Sequence, residues 1–373
     1  MSLRRKIEQE IHDRGPIPFS RYMELCLYDP ELGYYAAHSQ QFGKAGDFYT
    51  SSDVHAVFGR LLARQFDEMW RAMDSPGVQV VELGPGRGLF AQDVLDWSEK
   101  KFPAFFRALR YALVEASAAL RPRLAETLAR HISSGRVQIC SSLQQLPEEF
   151  PVPTVIFANE FFDALPVEVV SHRGELRVGC ESGRFTESFV PASAPALAYL
   201  DRYTVHPEPG ERVEAQLVAQ EFIHTIARRL RTGFVLLIDY GYTREEQLAG
   251  RHRGTVTAFR RHTVSASPYE APGEQDITAH VNFTALQAAA GDAGLQALAL
   301  LTQAQFLMGI GEANQFADAF EEARLPQEQT KIALQLKHLV TPAGMGESFH
   351  VLVMSKGVDV GKARLLSGLK FAR

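Results

Sequence analysis

Apolar positions follow two periods along the chain. From residue 78, short runs of β-branched and other apolar residues alternate with amphipathic stretches. Val78–Leu83, Arg110–Glu115, Val137–Cys140 and Thr154–Ala158 read as strands. Residues 87–101 and 117–130 read as helices, with Pro122 confined to the first turns of the second. This strand–helix cadence predicts a doubly wound α/β fold, a mainly parallel sheet with helices on both faces. Upstream, Val54, Val57, Phe58, Leu61, Leu62, Phe66, Met69 and Trp70 recur at i, i+3, i+4, i+7 and predict a helix over 53–73, capped by Ser52 or Asp53. Leu3, Ile7 and Ile11 mark a shorter helix over 3–14.

The cadence breaks over 167–210. There Val167–Ser171 and Glu175–Val178 predict a hairpin, and a Pro/Ala-rich stretch follows. It resumes with a helix near 211–231 and the strand Phe234–Ile238. A helix near 284–293, a strand over 295–301, helices near 314–323 and 327–339 and the strand Phe349–Met354 complete the pattern. The expected organisation is an N-terminal helical lid (1–73), a core (74–170), an insertion (171–230), the rest of the core (231–356) and a basic, solvated tail (357–373).

Composition narrows the function classes. The chain has 373 residues, 46% hydrophobic and 22% charged, which excludes a disordered chain. A net charge of −5 argues against nucleic-acid binding through bulk charge. Cys26, Cys140 and Cys180 lie far apart with no C-x-x-C, so a reducing compartment is expected and no zinc knuckle is readable. The histidines have no H-x-x-x-H spacing, and no metal is expected. No apolar run approaches ~18 residues. The N-terminus lacks an apolar h-region and carries Glu8, Glu10 and Asp13. The expectation is a soluble cytoplasmic protein without membrane insertion.

The most informative segment is Glu82-Leu83-Gly84-Pro85-Gly86-Arg87-Gly88, at the end of the first core strand. Alternate glycines let the backbone turn tightly and approach a ligand. A dinucleotide fingerprint wants a third glycine where this chain has Leu89 or Ala91, although Ala91 is tolerable there. Acid-x-G-x-G-x-G suits a cofactor without a pyrophosphate, S-adenosylmethionine. Glu82 is placed to attract its ammonium and Glu115, ending the second strand, to accept from its ribose hydroxyls. Ser142, after the third strand, falls where an adenine edge is expected. An ordinary tight βα turn is the plainer alternative.

Further segments carry a family resemblance. They are Gly15-Pro16-Ile17-Pro18-Phe19, Tyr28-Asp29-Pro30-Glu31-Leu32-Gly33-Tyr34-Tyr35, Gly46-Asp47-Phe48-Tyr49-Thr50-Ser51-Ser52, Ala158-Asn159-Glu160-Phe161-Phe162-Asp163-Ala164-Leu165-Pro166, Asp239-Tyr240-Gly241, Gln275–Phe283 and Met345-Gly346-Glu347-Ser348-Phe349. With the glycine turn, the chain resembles the class I S-adenosylmethionine-dependent methyltransferases of the MidA type over about residues 15–356. Their mitochondrial members are complex I assembly factors and protein arginine methyltransferases. The resemblance implies a Rossmann-like fold with a seven-stranded sheet, S-adenosylmethionine as cofactor, and a protein substrate such as a complex I subunit. It also implies cofactor contact by Gly46, Asp47 and Thr50. The segment 254–262 is divergent at its centre.

Methyl transfer to arginine requires carboxylates that hold a guanidinium and localise its charge. Glu160 and Asp163, just beyond the fourth strand, are the first candidates, with Asn159 as a supporting hydrogen bonder and cofactor contact. Helix capping by Asp163 and pairing of Glu160 with a structural arginine are the alternatives. Asp239, ending the next core strand, either points into the same cleft or pairs with backbone donors of its own turn. His280 is a candidate general base or a structural hydrogen bonder. Competing functions are a small-molecule methyltransferase on the same scaffold, a non-catalytic assembly chaperone that binds the cofactor, and a nicotinamide dehydrogenase. The sequence leaves the oligomeric state open.

Overall fold

The computed structural model describes residues 2–37, 56–250, 254–260, 263–265 and 267–372. The chain opens with α1 (Leu3–Arg14), α2 (Phe19–Tyr28) and the short α3 (Tyr34–Ala37). Next come α4 (Ala56–Met73), β1 (Val78–Leu83), α5 (Leu89–Lys101), β2 (Leu109–Val114), β3 (Val137–Cys140) and β4 (Thr154–Asn159). A second sheet follows with β5 (Glu168–Ser171), β6 (Gly174–Glu181), β7 (Arg184–Val190) and β8 (Arg212–Ala215). The chain then returns through α6 (Leu217–Arg229), β9 (Gly233–Tyr242), β10 (Thr257–Arg260), β11 (Asp276–Thr278), β12 (Val281–Asn282), α7 (Phe283–Asp292), β13 (Gln296–Thr302), α8 (Gln303–Glu312), α9 (Pro326–Val340) and β14 (Phe349–Lys356).

The central sheet runs β13-β14-β9-β4-β1-β2-β3, and β12 pairs with the end of β9. The ladders from β9 to β3 are parallel, whereas β14 runs antiparallel to both β9 and β13. Only β14 runs against the rest, so the sheet is mixed yet mainly parallel as expected, and the two-residue β12 adds an eighth strand to the expected seven. The apolar run Phe349–Met354 could not announce its direction, because a strand covered on both faces reads alike either way.

Helices cover both faces. Phe58 and Phe66 of α4 and Phe90 of α5 pack on Phe157 of β4, and the Phe90 and Phe157 rings stack at 4.5 Å. On the opposite face, Ile223 and Ile226 of α6 and Leu286 of α7 bury against Ile156 and Leu237. A third core joins α1 and α2 to the second sheet through Ile7, Tyr22, Leu176 and Val178. The N-terminal helices are thus fastened to β6, whose Val178 and Arg177 pair with Ile17 and Pro18.

The C-terminal segment is corrected as well. Instead of a solvated tail, it buries Ala363, Leu366 and Leu369, and the backbone N–H groups of Ser367 and Gly368 donate to Glu68 and Gln65 of α4. Its charge obscured the apolar spacing of those three residues. No helix among the described residues is long and apolar enough to cross a membrane.

Candidate active site

A cavity of about 490 Å³ opens at the carboxyl ends of β1 to β4, the end of an open α/β sheet where ligands bind. Its floor is the turn between β1 and α5. Gly84, Gly86 and Gly88 all have positive φ (64°, 55° and 78°), a conformation costly for any residue with a Cβ. Their surroundings differ. A Cβ on Gly86 would meet nothing within 4 Å, whereas one on Gly88 would lie 2.4 Å from Leu124 Cδ1. Gly84 and Gly86 line the cavity. Gly88 serves helix packing at the start of α5.

The two strand-tip acids also separate. Glu115 lines the cavity; its Oε1 accepts from Ser117 N–H at 2.8 Å and its Oε2 from Gly86 N–H at 3.3 Å. Burial pushes its carboxyl up to about 7, against the pull of these donors and Arg121. Glu82 lies beneath the turn and accepts from the Tyr111 hydroxyl at 2.8 Å. Burial raises it to about 8, the Tyr111 hydrogen bond opposes this, and Glu115 adds to it. Glu82 is not part of the cavity wall, so its expected pull on the cofactor ammonium, direct or through water, would act from beneath the turn. Ser142 lines the wall after β3, beside Leu143 and Gln144.

The turn after β4 brings Asn159, Glu160 and Asp163 to the same cavity. Asn159 Nδ2 donates to Glu160 Oε1 at 3.1 Å. Glu160 holds a φ of +50°, a strained backbone for a residue with a side chain. Asp239 supports that strain: its Oδ2 accepts from the backbone N–H groups of Phe161, Phe162 and Asp163 at 3.2, 2.9 and 3.3 Å. Burial, then the neighbouring Asp163 and Glu160, drive its carboxyl well upward. Asp239 is absent from the cavity wall. Its Oδ1 accepts from Tyr240 N–H at 3.0 Å, the pairing within its own turn that stood as the alternative, while its Oδ2 serves the turn after β4.

Asp163 is 5% exposed. Its Oδ2 accepts from the Tyr240 hydroxyl, and its Oδ1 is buried without a hydrogen-bond partner among the described residues. Burial pushes this carboxyl up to about 6. His280 stands one layer back, its ring edge-on to Tyr240 at 5.3 Å. Its own backbone N–H donates to Thr255 Oγ1 and its carbonyl accepts from Gln216. It too is outside the wall, with its ring packed against Tyr240.

The remaining wall holds residues to which the motifs assigned no role. Tyr28 ends α2, Tyr35 lies in α3 and Asp276 opens β11; all three line the cavity, as do Phe161 and Phe222. The aromatic run 28–35, long for an undecorated connection, was the available signal for the tyrosines. Asp276 belongs to the Gln275–Phe283 segment, but only the fold brings it to the site. Gly46, Asp47 and Thr50 lie outside the described residues.

Comparisons with known proteins agree with this geometry. Residues 61–301 match a family described as "Putative S-adenosyl-L-methionine-dependent methyltransferase". The protein arginine methyltransferase NDUFAF7 homolog, mitochondrial, of Drosophila melanogaster is 30% identical over 96% of this chain and 85% of its own length. Protein arginine methyltransferase NDUFAF7, mitochondrial, of Danio rerio is 30% identical over 93% and 85%. The names of these relatives place them in the mitochondrion, which counts against the cytoplasmic expectation. Among solved structures, a superfamily member from Burkholderia thailandensis bound to S-adenosyl-homocysteine is 32% identical, with a TM-score of 0.85 over 99% of this chain and 95% of that one. A native crystal structure from the same organism is 31% identical, with a TM-score of 0.82 over 99% and 94%. The open space above Gly86 and the acid at the β2 tip fit the same cofactor. The chain is an S-adenosylmethionine-dependent methyltransferase and belongs to the family of the NDUFAF7 proteins.

Proposed function

We propose that the protein N-methylates an arginine side chain of a protein substrate, with a respiratory complex I subunit as the first candidate. Bound S-adenosylmethionine supplies an electrophilic methyl group on a positively charged sulfur. In this reading Gly84, Gly86, Glu115, Ser142 and Asn159 hold the cofactor, and Gly46, Asp47 and Thr50 are proposed to cover it. Gly88 and Glu82 shape the turn from below.

Glu160 and Asp163 orient the acceptor. A guanidinium enters protonated and needs carboxylates to hold it and to concentrate its charge away from the attacking nitrogen. That nitrogen must be held about 3 Å from the methyl carbon with water excluded, so positioning supplies most of the rate. The nitrogen lone pair forms the new N–C bond while the C–S bond breaks and its electron pair stays on sulfur. The proton lost from nitrogen passes to a carboxylate; Asp163, raised to about 6, is well matched to accept it near neutrality. The observation that carries the reading is the pair of acids on the turn after β4, Asp163 buried and Glu160 half-buried. The names of the relatives support arginine as the acceptor.

The test uses methyl-labelled S-adenosylmethionine, purified protein and lysate from a strain lacking it, followed by hydrolysis of the labelled protein fraction. Label in methylarginine is expected. Label in another amino acid, or in small molecules alone, overturns the proposal.

A further inference from the structure

The cavity extends beyond the groups assigned so far. In the same wall, Tyr28 and Tyr35 pack ring to ring with centroids 5.4 Å apart. The Tyr35 hydroxyl donates to Asp276 Oδ1 at 3.2 Å, and the Tyr28 hydroxyl donates to the Ala164 carbonyl at 3.0 Å. Asp163 and Asp276 line the same cavity, and both tyrosines feel the two carboxylates, Tyr28 feeling Glu115 as well. Asp163 Oδ1 is buried in the same wall and has no hydrogen-bond partner among the described residues. Burying such an oxygen is costly unless a donor arrives to meet it.

We propose that Tyr28, Tyr35 and Asp276 form, with Asp163, a cage for the cationic head of the methyl acceptor. This deepens the arginine reading and rests on it. Three features favour a planar cation. Two aromatic faces attract a cation through their quadrupoles, and a guanidinium stacks on such faces better than an ammonium does. Two carboxylates on different elements can each take a separate edge of the fork. The need is electrostatic as well: the cofactor's sulfonium and the guanidinium are both positive and must come within about 3 Å, which a low-dielectric site tolerates only against anionic walls. Asp276 and Tyr35 therefore set acceptor specificity from elements that carry none of the cofactor motif.

The same cage could instead hold the ammonium of the cofactor's amino-acid end, and the experiment separates the two. Protein saturated with S-adenosyl-homocysteine is titrated calorimetrically with Nα-acetyl-arginine amide, its neutral isostere Nα-acetyl-citrulline amide, and Nα-acetyl-lysine amide. Wild type is expected to bind the arginine probe about tenfold or more tighter than the citrulline probe. Asp276→Asn and Tyr35→Leu are each expected to weaken the arginine probe about tenfold, the scale of one lost charge-assisted or cation–π contact. Their S-adenosyl-homocysteine affinity is expected to stay within about twofold. Unchanged arginine-probe binding in either folded variant overturns the cage, and so does a parallel loss of S-adenosyl-homocysteine affinity. A wild type that prefers lysine, or shows no preference for charge, overturns the arginine acceptor itself, whatever Asp276 and Tyr35 do.

Discussion

At the residue scale, buried carboxylates decide the chemistry, and environment sorts them. Asp163 titrates near 6 because burial penalises its charge. Only its ionised form pairs with a guanidinium, so kcat/KM for the protein acceptor should fall below about pH 6. Asp163→Asn should cut turnover by about a hundredfold, remove that acidic limb and leave S-adenosyl-homocysteine affinity intact; a pH–rate profile with paired titration calorimetry checks this. Glu82 shows the same physics as a stability effect. Its folded value, about 8, lies above its unfolded value near 4.5. Its contribution is therefore fully present below about pH 4.5 and lost as pH rises through about 8. Glu82→Gln keeps an acceptor for Tyr111 and removes the ionisation. Thermal melting from pH 6 to 9 should show wild type losing stability faster than the variant.

Legibility at this scale followed sequence proximity. The glycine turn, Glu115, Ser142 and the acids after β4 were readable because each sits at a strand tip within a local motif. Asp239 and His280 were drawn toward the chemistry by the same logic, yet their side chains serve backbone donors and a tyrosine ring. Asp276 lies in the Gln275–Phe283 segment, yet its place in the site was not legible, because only tertiary folding brings β11 beside α3.

At the element scale, the turn after β4 is held by its neighbours rather than by its own propensity. Asp239 satisfies three buried N–H groups while Tyr240, the next residue of β9, holds the Asp163 carboxylate. Asp239→Ala leaves those donors without an acceptor, and each such group costs about 1–3 kcal/mol. Urea denaturation should show a loss of roughly 3 kcal/mol or more, and Asp239→Asn, which keeps an oxygen, a smaller one. The glycines of the first turn divide similarly. Gly88→Ala adds a clash with Leu124 to the cost of positive φ and should destabilise by about 2 kcal/mol or more. Gly86→Ala meets no protein atom, so it should cost about 1 kcal/mol in stability and act chiefly by weakening S-adenosyl-homocysteine binding, read by calorimetry.

Elements with a clean period were legible: the helix over 56–73, the four strands β1 to β4 and the last strand all emerge from alternation alone. The second sheet was half visible. Its first hairpin shows, but β7 faces solvent along much of its length and β8 was absorbed into a predicted helix near 211–231. Arg212–Ala215 is too short to display a period of two, and its pairing with β5 supplies what the local sequence lacks.

At the scale of the whole molecule, the cavity wall is assembled from every part of the chain. The N-terminal helices bring Tyr28 and Tyr35, the first half of the sheet brings the glycine turn, Glu115 and Ser142, and the region after β9 brings Asp276. The second sheet fastens the N-terminal helices through their shared core, so it acts on the site without lining it. The central claim is that one cavity has a cofactor end at β1 to β3 and an acceptor end at Asp163 and Asp276. The most direct measurement is a crystal structure of this protein with S-adenosyl-homocysteine. The account predicts the ribose hydroxyls on Glu115, the adenine beside Ser142 and the sulfur turned toward Glu160 and Asp163, with space left between it and Tyr35. A homocysteine ammonium seated on Asp163 and Asp276, or a sulfur facing away from them, would contradict it.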